Sequence, residues 1–409
     1  MPSALSRGAR VLIVVGALYI AGFSLSGLFV NIYIWRVDHS LLAIGMYNWT
    51  IYAVLPVAFV VGGRLAERIG QVWLIRIGIA ILTAFFGFLL WLGRQSAHHF
   101  IWLGLLSGMG QGLYWYGYQV LSFDLTQKDN RGVFHGVSGL FTSLSAMIGP
   151  FVAGYLITKG WRFSGYHVVF GLSLALFAVC VWLSFRLVCI RKPRAMKLAQ
   201  GFRFREDPDW TRLWWATAVF GLREGLFAFY IGLLVYLVTG TEEGLGEYGL
   251  WTGFLSLIAF YVAGRTAHGE RQGRIMMQGS AVGLGLVCLV FAHAVNRWTL
   301  LLFGSVTALL LPFLLVPFGS MAMNEIDETE RTAVFRSEHL ISREIALGLG
   351  RLVGVGSFVV VAVWFRSPGN LVGLTVALGF VHVIVAWMVR KVECRAYPRL
   401  RSERERRTG

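Results

Sequence analysis

Twelve stretches of mostly apolar residues, each long enough to cross a bilayer as a helix, leave this chain little choice of fold. A hydrocarbon core about 30 Å thick needs about 20 such residues per helix. On that criterion spans are predicted near 11–34, 41–63, 73–93, 100–122, 134–157, 166–187, 213–238, 248–267, 276–295, 298–322, 338–364 and 369–389. Barrel strands are excluded, because the runs are too long and show no alternation of apolar and polar residues. The expected class is an all-α membrane protein. A chain that is 56% hydrophobic and 14% charged, against about 25% charge in an average soluble domain, cannot cover a water-facing surface. The same composition excludes disorder, and only nine prolines with non-periodic glycines exclude a collagen-like fold.

Arg7 and Arg10 followed by apolar residues resemble a signal peptide, but the run continues to Trp35 with no small-residue cleavage site and reads as a first span. The net charge of +16 would point to nucleic acid in a soluble protein. Here the basic residues sit between apolar runs, where they set orientation, and no nucleic-acid partner is expected. With both termini inside, 28 of the 37 lysines and arginines fall in inner segments and the tail, six in outer loops and three within spans. That asymmetry places both termini in the cytoplasm of a cell (inner or plasma) membrane. Cys180, Cys189, Cys288 and Cys394 have no metal-ligand spacing and read as unpaired.

An internal repeat divides the chain. Gly63-Arg64-Leu65-Ala66-Glu67-Arg68-Ile69-Gly70 follows span two, and Gly264-Arg265-Thr266-Ala267, two further residues and Glu270-Arg271-Gln272-Gly273 follow span eight. The first glycines lie 201 residues apart, as do Val133-Phe134 and Val334-Phe335, and Gly149 and Gly350. Gly27-Leu28-Phe29 and Gly225-Leu226-Phe227 match at an offset of 198. The expected organisation is a six-helix bundle over 1–188, a cytoplasmic linker over 189–211, a second bundle over 212–390 and a basic tail over 391–409. Two pseudo-symmetric six-helix bundles joined by such a linker describe the major facilitator fold.

The residues themselves then resemble the major facilitator superfamily over nearly the whole chain, in its bacterial form. That family's loop G-x-L-a-D-R-x-G-R-[RK] is matched by Gly63, Leu65, Ala66, Arg68 and Gly70, with Glu67 for the aspartate and Gln71-Val72 for the basic pair. The resemblance implies a gating loop formed by Gly63, Glu67, Arg68 and Gly70 and, in the second half, by Gly264, Arg265, Glu270 and Arg271. A charge cluster there would hold one conformation; the other reading is a basic anchor without a gating role. In span five, Gly149-Pro150-Phe151-Val152-Ala153-Gly154 resembles the family's G-P-x-x-G-G motif, associated with export by antiport. Gly149, Pro150 and Gly154 equally suit helix packing alone. Span four lacks the arginine that drug exporters place before a Q-G pair, here Gln111-Gly112. Gly108-x-Gly110-x-Gly112 faintly resembles a nucleotide loop but reads as a packing face. Gln111, Tyr114 and Tyr118 are candidate substrate contacts, with an interfacial aromatic belt as the other reading of the tyrosines.

Arg223-Glu224 in span seven and Arg343-Glu344 in span eleven, with Arg351 two turns on, put ionised groups at bilayer depth, where each costs about 2.5–3.5 kcal/mol. The predicted arrangement is a crossed network, Arg223 with Glu344 and Arg343 with Glu224. Arg351 is left without a partner and is a substrate-binding candidate. In one reading Glu224 or Glu344 carries a proton; in the other the four charges are a permanent lock. No Walker A, His-Glu-x-x-His or G-x-S-x-G sequence is present, so neither an enzyme nor a cofactor is expected, and no metal site.

The resemblance implies a secondary transporter working by alternating access, moving a small molecule with protons, by preference outward. Uniport or import of a polar metabolite and flipping of a lipid-linked molecule are the rival transport readings. A non-transporting receptor and a membrane-embedded transferase are the rivals of another class. The expected partners are the substrate, protons and the lipid bilayer, and the expected state is a monomer.

Overall fold

The computed structural model describes residues 5–126, 130–160, 164–187, 196–204, 207–266, 270–327, 334–365 and 368–392. The expected basic tail beyond Val392, with Cys394, lies outside the described residues. So do linker residues 189–195, 205 and 206, with Cys189, and the side chain of Glu270.

Among the described residues twelve long helices follow one another: α1 (Arg7–Asp38), α2 (Leu41–Ile69), α3 (Gln71–Leu92), α4 (Phe100–Leu125), α5 (Arg131–Lys159) and α6 (Ser164–Ser184). The second set is α7 (Pro208–Thr239), α8 (Glu242–Thr266), α9 (Glu270–Cys288), α10 (Arg297–Asp327), α11 (Arg336–Val360) and α12 (Pro368–Gly379, continued by Val381–Met388). Local chemistry sets their ends. Ser6, Ser40 and Asp207 each accept a backbone N–H of the first turn, and Pro208 occupies a position whose missing N–H leaves no bond unmade. Gly70 joins α2 to α3 at φ 84°, a left-handed conformation that explains the glycine in the loop motif.

Eleven of these helices are long and apolar enough to span a membrane. The exception is α4, diluted by Gln111, tyrosines and five glycines. Those glycines pack it: Gly104, Gly108 and Gly112 meet the backbone of α2, and Gly110 and Gly117 meet α3. The Gly108–Gly112 stretch is thus a two-sided helix contact.

The contacts repeat with a shift of six helices. α1 packs on α5 and α7 on α11; α2 on α4 and α8 on α10; α3 on α6 and α9 on α12. The two largest contacts between the bundles, α2 with α11 and α5 with α8, are exchanged by the same shift. The architecture is two pseudo-symmetric bundles of six helices around a central cavity. Exposed tryptophans ring both ends, Trp91, Trp102, Trp298 and Trp364 at one and Trp73, Trp182, Trp215 and Trp387 at the other, as at a membrane's two interfaces.

The second end carries linker residues 196–204 and is called the linker face. There the Met196 N–H donates to Glu67 Oε1 at 2.6 Å and the Lys197 N–H to Glu338 Oε1 at 3.1 Å. The Trp210 indole donates to the Gly201 carbonyl, and Gly201 lies against the Glu338 backbone. The linker thus crosses from α2 of one bundle to α11 of the other.

Candidate functional site

The two bundles enclose a cavity of about 1110 Å³ at mid-height, slightly above the size of most small-molecule sites. Its walls differ by half. α1, α2 and α4 contribute neutral amides and rings: Asn48 donates to Asn31 Oδ1 at 2.7 Å, Gln111 donates to Ser107 Oγ at 2.9 Å, and Tyr52 and Trp115 stand beside them. α7 and α11 contribute Arg223, Glu224, Arg343, Glu344 and Arg351.

Glycines bring these two helices together. Gly221 and Gly225 of α7 face the backbone of Leu347 and Arg351, while Gly350 and Gly354 of α11 face the Ala218 and Leu222 carbonyls. With the backbones in contact, Arg351 reaches both carboxylates. Its Nη2 donates to Glu224 Oε2 at 3.0 Å and its Nη1 to Glu344 Oε1 at 3.3 Å. Its guanidinium also sits 5.2 Å from the centre of the Tyr52 ring of α2, a cation–π contact across the bundle boundary. Glu224 is the more open carboxylate, its side chain 39% exposed against 13% for Glu344.

This corrects the crossed network. Neither Arg223–Glu344 nor Arg343–Glu224 forms an ion pair, and Arg351, expected to be partnerless, holds both glutamates. Seven residues turn a helix by almost two full turns, so Glu344 and Arg351 share one face of α11; that spacing was the overlooked signal. Arg223 turns the other way, onto the Phe227 ring at 4.1 Å.

Other expected residues fall as follows. Gln111 is on the cavity wall. Tyr114 and Tyr118 are not: Tyr114 is fully buried, its ring stacked on Tyr19 with centroids 3.5 Å apart, and Tyr118 packs under Gly16 and beside Ser138. A helical turn carries them into the first bundle's core, and Trp115 and Gln119 take the wall instead. Asn31, Asn48 and Tyr52 were missed, since uncharged residues in an apolar run carry no strong sequence signal. Asn48, which matches a glycosylation pattern, is buried.

The loop motif does not form the expected charge cluster among the described residues. Glu67 accepts the linker's Met196 N–H, Gly63 abuts Met196 and Ile341, and Arg68 is exposed. The linker occupies the place where arginines were expected. In the second half Gly264 stands in open space, Arg265 lies over the Tyr261 ring at 4.4 Å and Arg271 is exposed.

The span-five motif lies at the contact between bundles. Gly149 packs on Ser24 of α1, and Pro150 meets Gly246 and Gly249 of α8. Gly154 abuts the Glu242 carbonyl and Gly246. α5 and α8 therefore touch from Met147–Gly253 outward to the far face, opposite the linker. Toward the linker face they part, with open space around Gly136, Gly139 and Gly264. At the far face Glu242 Oε1 accepts from Arg36 Nη1 and from the Tyr166 hydroxyl, both at 2.7 Å, and the Glu243 N–H donates to Thr158 Oγ1 at 3.0 Å.

This closure should depend on charge. In Glu242→Gln, which keeps the shape but removes the ion pair, a cysteine placed at Thr158 should react with an impermeant maleimide about tenfold faster, as expected when a charge-assisted hydrogen bond is weakened. Unchanged labelling would mean that helix packing alone closes this face.

Among the described residues no cluster of histidines, cysteines or carboxylates has metal-binding form, and Cys180 and Cys288 are free and buried.

Comparison with known proteins agrees with the geometry. An uncharacterized protein of Bacillus subtilis, YqgE, is 32% identical over 388 residues, 95% of this chain and 90% of that protein. A putative glycerol-3-phosphate transporter of Arabidopsis thaliana is 27% identical over a shorter stretch of 124 residues, 30% of this chain. The crystal structure of a D-xylose-proton symporter superposes with a TM-score of 0.69 over 95% of this chain and 98% of that one, at 14% identity, a likeness of fold. The sequence profile of the Major Facilitator Superfamily matches residues 11–337. Duplicated bundles, exchanged contacts and a charged central cavity thus converge with that match, and the chain belongs to the Major Facilitator Superfamily of membrane transporters.

Proposed function

We propose that this protein is a proton-coupled secondary transporter of a small molecule, in which the bundles 1–188 and 212–390 rock about the central cavity. The observation that carries this reading is one arginine shared by two carboxylates of different helices. Arg351 balances one negative charge, so the cluster with Glu224 and Glu344 holds one in excess. Protonating Glu224, the more open carboxylate, removes that excess and frees one arm of Arg351. Because the same guanidinium lies over Tyr52 of the other bundle, the protonation state reaches the moving boundary. The closed far face and the parted linker-face halves of α5 and α8 suit a state open on one side, the cytoplasm if the basic-residue asymmetry sets the orientation.

The sense of coupling follows from the cargo's charge. A proton added to the cavity weakens a cation's binding, which is antiport, and strengthens an anion's, which is symport. The span-five motif's resemblance favours export by antiport as the first alternative.

In proteoliposomes, Glu224→Gln and Glu344→Gln should leave solute exchange without a gradient in place and abolish accumulation driven by a pH gradient in at least one variant. Undiminished coupling in both would remove the proton-carrier assignment.

A further inference from the structure

The charged wall holds three arginines and two glutamates, and Arg351 engages both carboxylates. Among the described residues neither Arg223 nor Arg343 forms an ion pair with a carboxylate. Arg223 is 5% exposed, its Nε and Nη2 lack any hydrogen-bond partner, and the Arg343 Nε lacks one too. A guanidinium stays ionised under all physiological conditions, and burying one without a directly paired counter-charge is costly. Both side chains line the cavity. Facing them, the first bundle offers neutral amides and ring faces, including Phe23, Tyr52, Phe59 and Trp115.

We propose that the cargo is an amphipathic organic anion, with its anionic group held by Arg223 and Arg343 and its apolar body against the aromatic wall of the first bundle. This rests on the transporter reading and narrows it. The surplus of one positive charge on the wall matches a single negative charge. A cationic cargo would have to take a carboxylate from Arg351 while facing two further guanidiniums. The volume admits a body of one or two rings with accompanying water. The charge also fixes the sense of coupling: a proton on Glu224 makes the wall more positive and the anion bind more tightly, so the two travel together. That sense is symport, in place of the antiport implied by the motif's resemblance.

The test uses the full chain in nanodiscs and three probes on one body: 4-phenylbutane-1-sulfonate, its uncharged sulfonamide and 4-phenylbutyltrimethylammonium. Calorimetry should find the sulfonate at least about tenfold tighter than the sulfonamide, and no binding of the ammonium probe. Arg223→Gln and Arg343→Gln should each weaken the sulfonate about 10- to 100-fold, the range for losing a charge-assisted hydrogen bond, and change the sulfonamide less than about twofold. Arg223→Lys and Arg343→Lys, which keep the charge, should retain part of the preference. The wild-type comparison stands even if a variant fails to fold.

Absence of binding by the sulfonate, equal or tighter binding of either other probe, or an unchanged preference in both glutamine variants would overturn the proposal. In proteoliposomes external sulfonate should acidify the lumen; alkalinisation would overturn the symport sense. Proton movement driven by the ammonium or sulfonamide probe instead would remove the anion and leave Glu224 and Glu344 as proton carriers. Tight sulfonate binding with no proton movement would do the reverse.

Discussion

Replacing Arg351 by glutamine is expected to abolish gradient-driven transport and to lower the thermal unfolding temperature by several degrees. Arg351 is the counter-charge of both Glu224 and Glu344. Removing one member of a buried ion pair typically costs about 3–5 kcal/mol, because the remaining charge is left without compensation. Here the lower end applies, since the Glu224 side chain is 39% exposed and water relieves part of that charge. The second substitution Glu344→Gln should recover much of the lost stability, as it removes an orphaned carboxylate, while leaving coupling absent. Thermal unfolding of the single and double variants in one detergent measures both effects. Wild-type stability and coupling in Arg351→Gln would show that the cluster is ornamental.

Gly350→Val should destabilise the second bundle more than any surface change and should uncouple transport as well. A side chain at this position runs into the Ala218 carbonyl and Gly221 of α7, backbone that cannot move aside. Forced overpacking of this kind costs about 1–3 kcal/mol or more. The relief available is separation of α7 from α11, which draws Arg351 away from Glu224 across their 3.0 Å contact. Gly264→Ala is the control, because nothing lies within reach of the added methyl. Comparable losses in the two variants would mean that close approach of α7 and α11 is not what the glycine provides.

The membrane fold was readable because bilayer thickness acts directly on sequence: a helix must be about 20 residues long and apolar throughout, and loop charges orient it. The repeat was readable through glycines that retain one register. The site was only half readable. Ionised residues at bilayer depth announce themselves, and all five charged candidates on α7 and α11 do line the cavity. Their pairing depended on the rotation of α11 about its axis, which adjacency in Arg343-Glu344 suggested wrongly and the seven-residue spacing to Arg351 would have corrected. Asn31, Asn48 and Tyr52 resemble any polar residue tolerated within a helix. Tyr114 misled because an aromatic run covers every face of a helix, and one turn separates the Trp115 wall from the Tyr19 stack. Glu67 misled because its partner is a backbone N–H of the linker, and main-chain donors leave no trace in the residue pattern.

The division of the cavity into a charged wall and an uncharged one has a consequence for how the cargo travels. On the proposed reading, a cargo held by the arginines of α7 and α11 would ride with the second bundle while the uncharged wall of the first moves past it. On that reading the charged wall selects which molecules board.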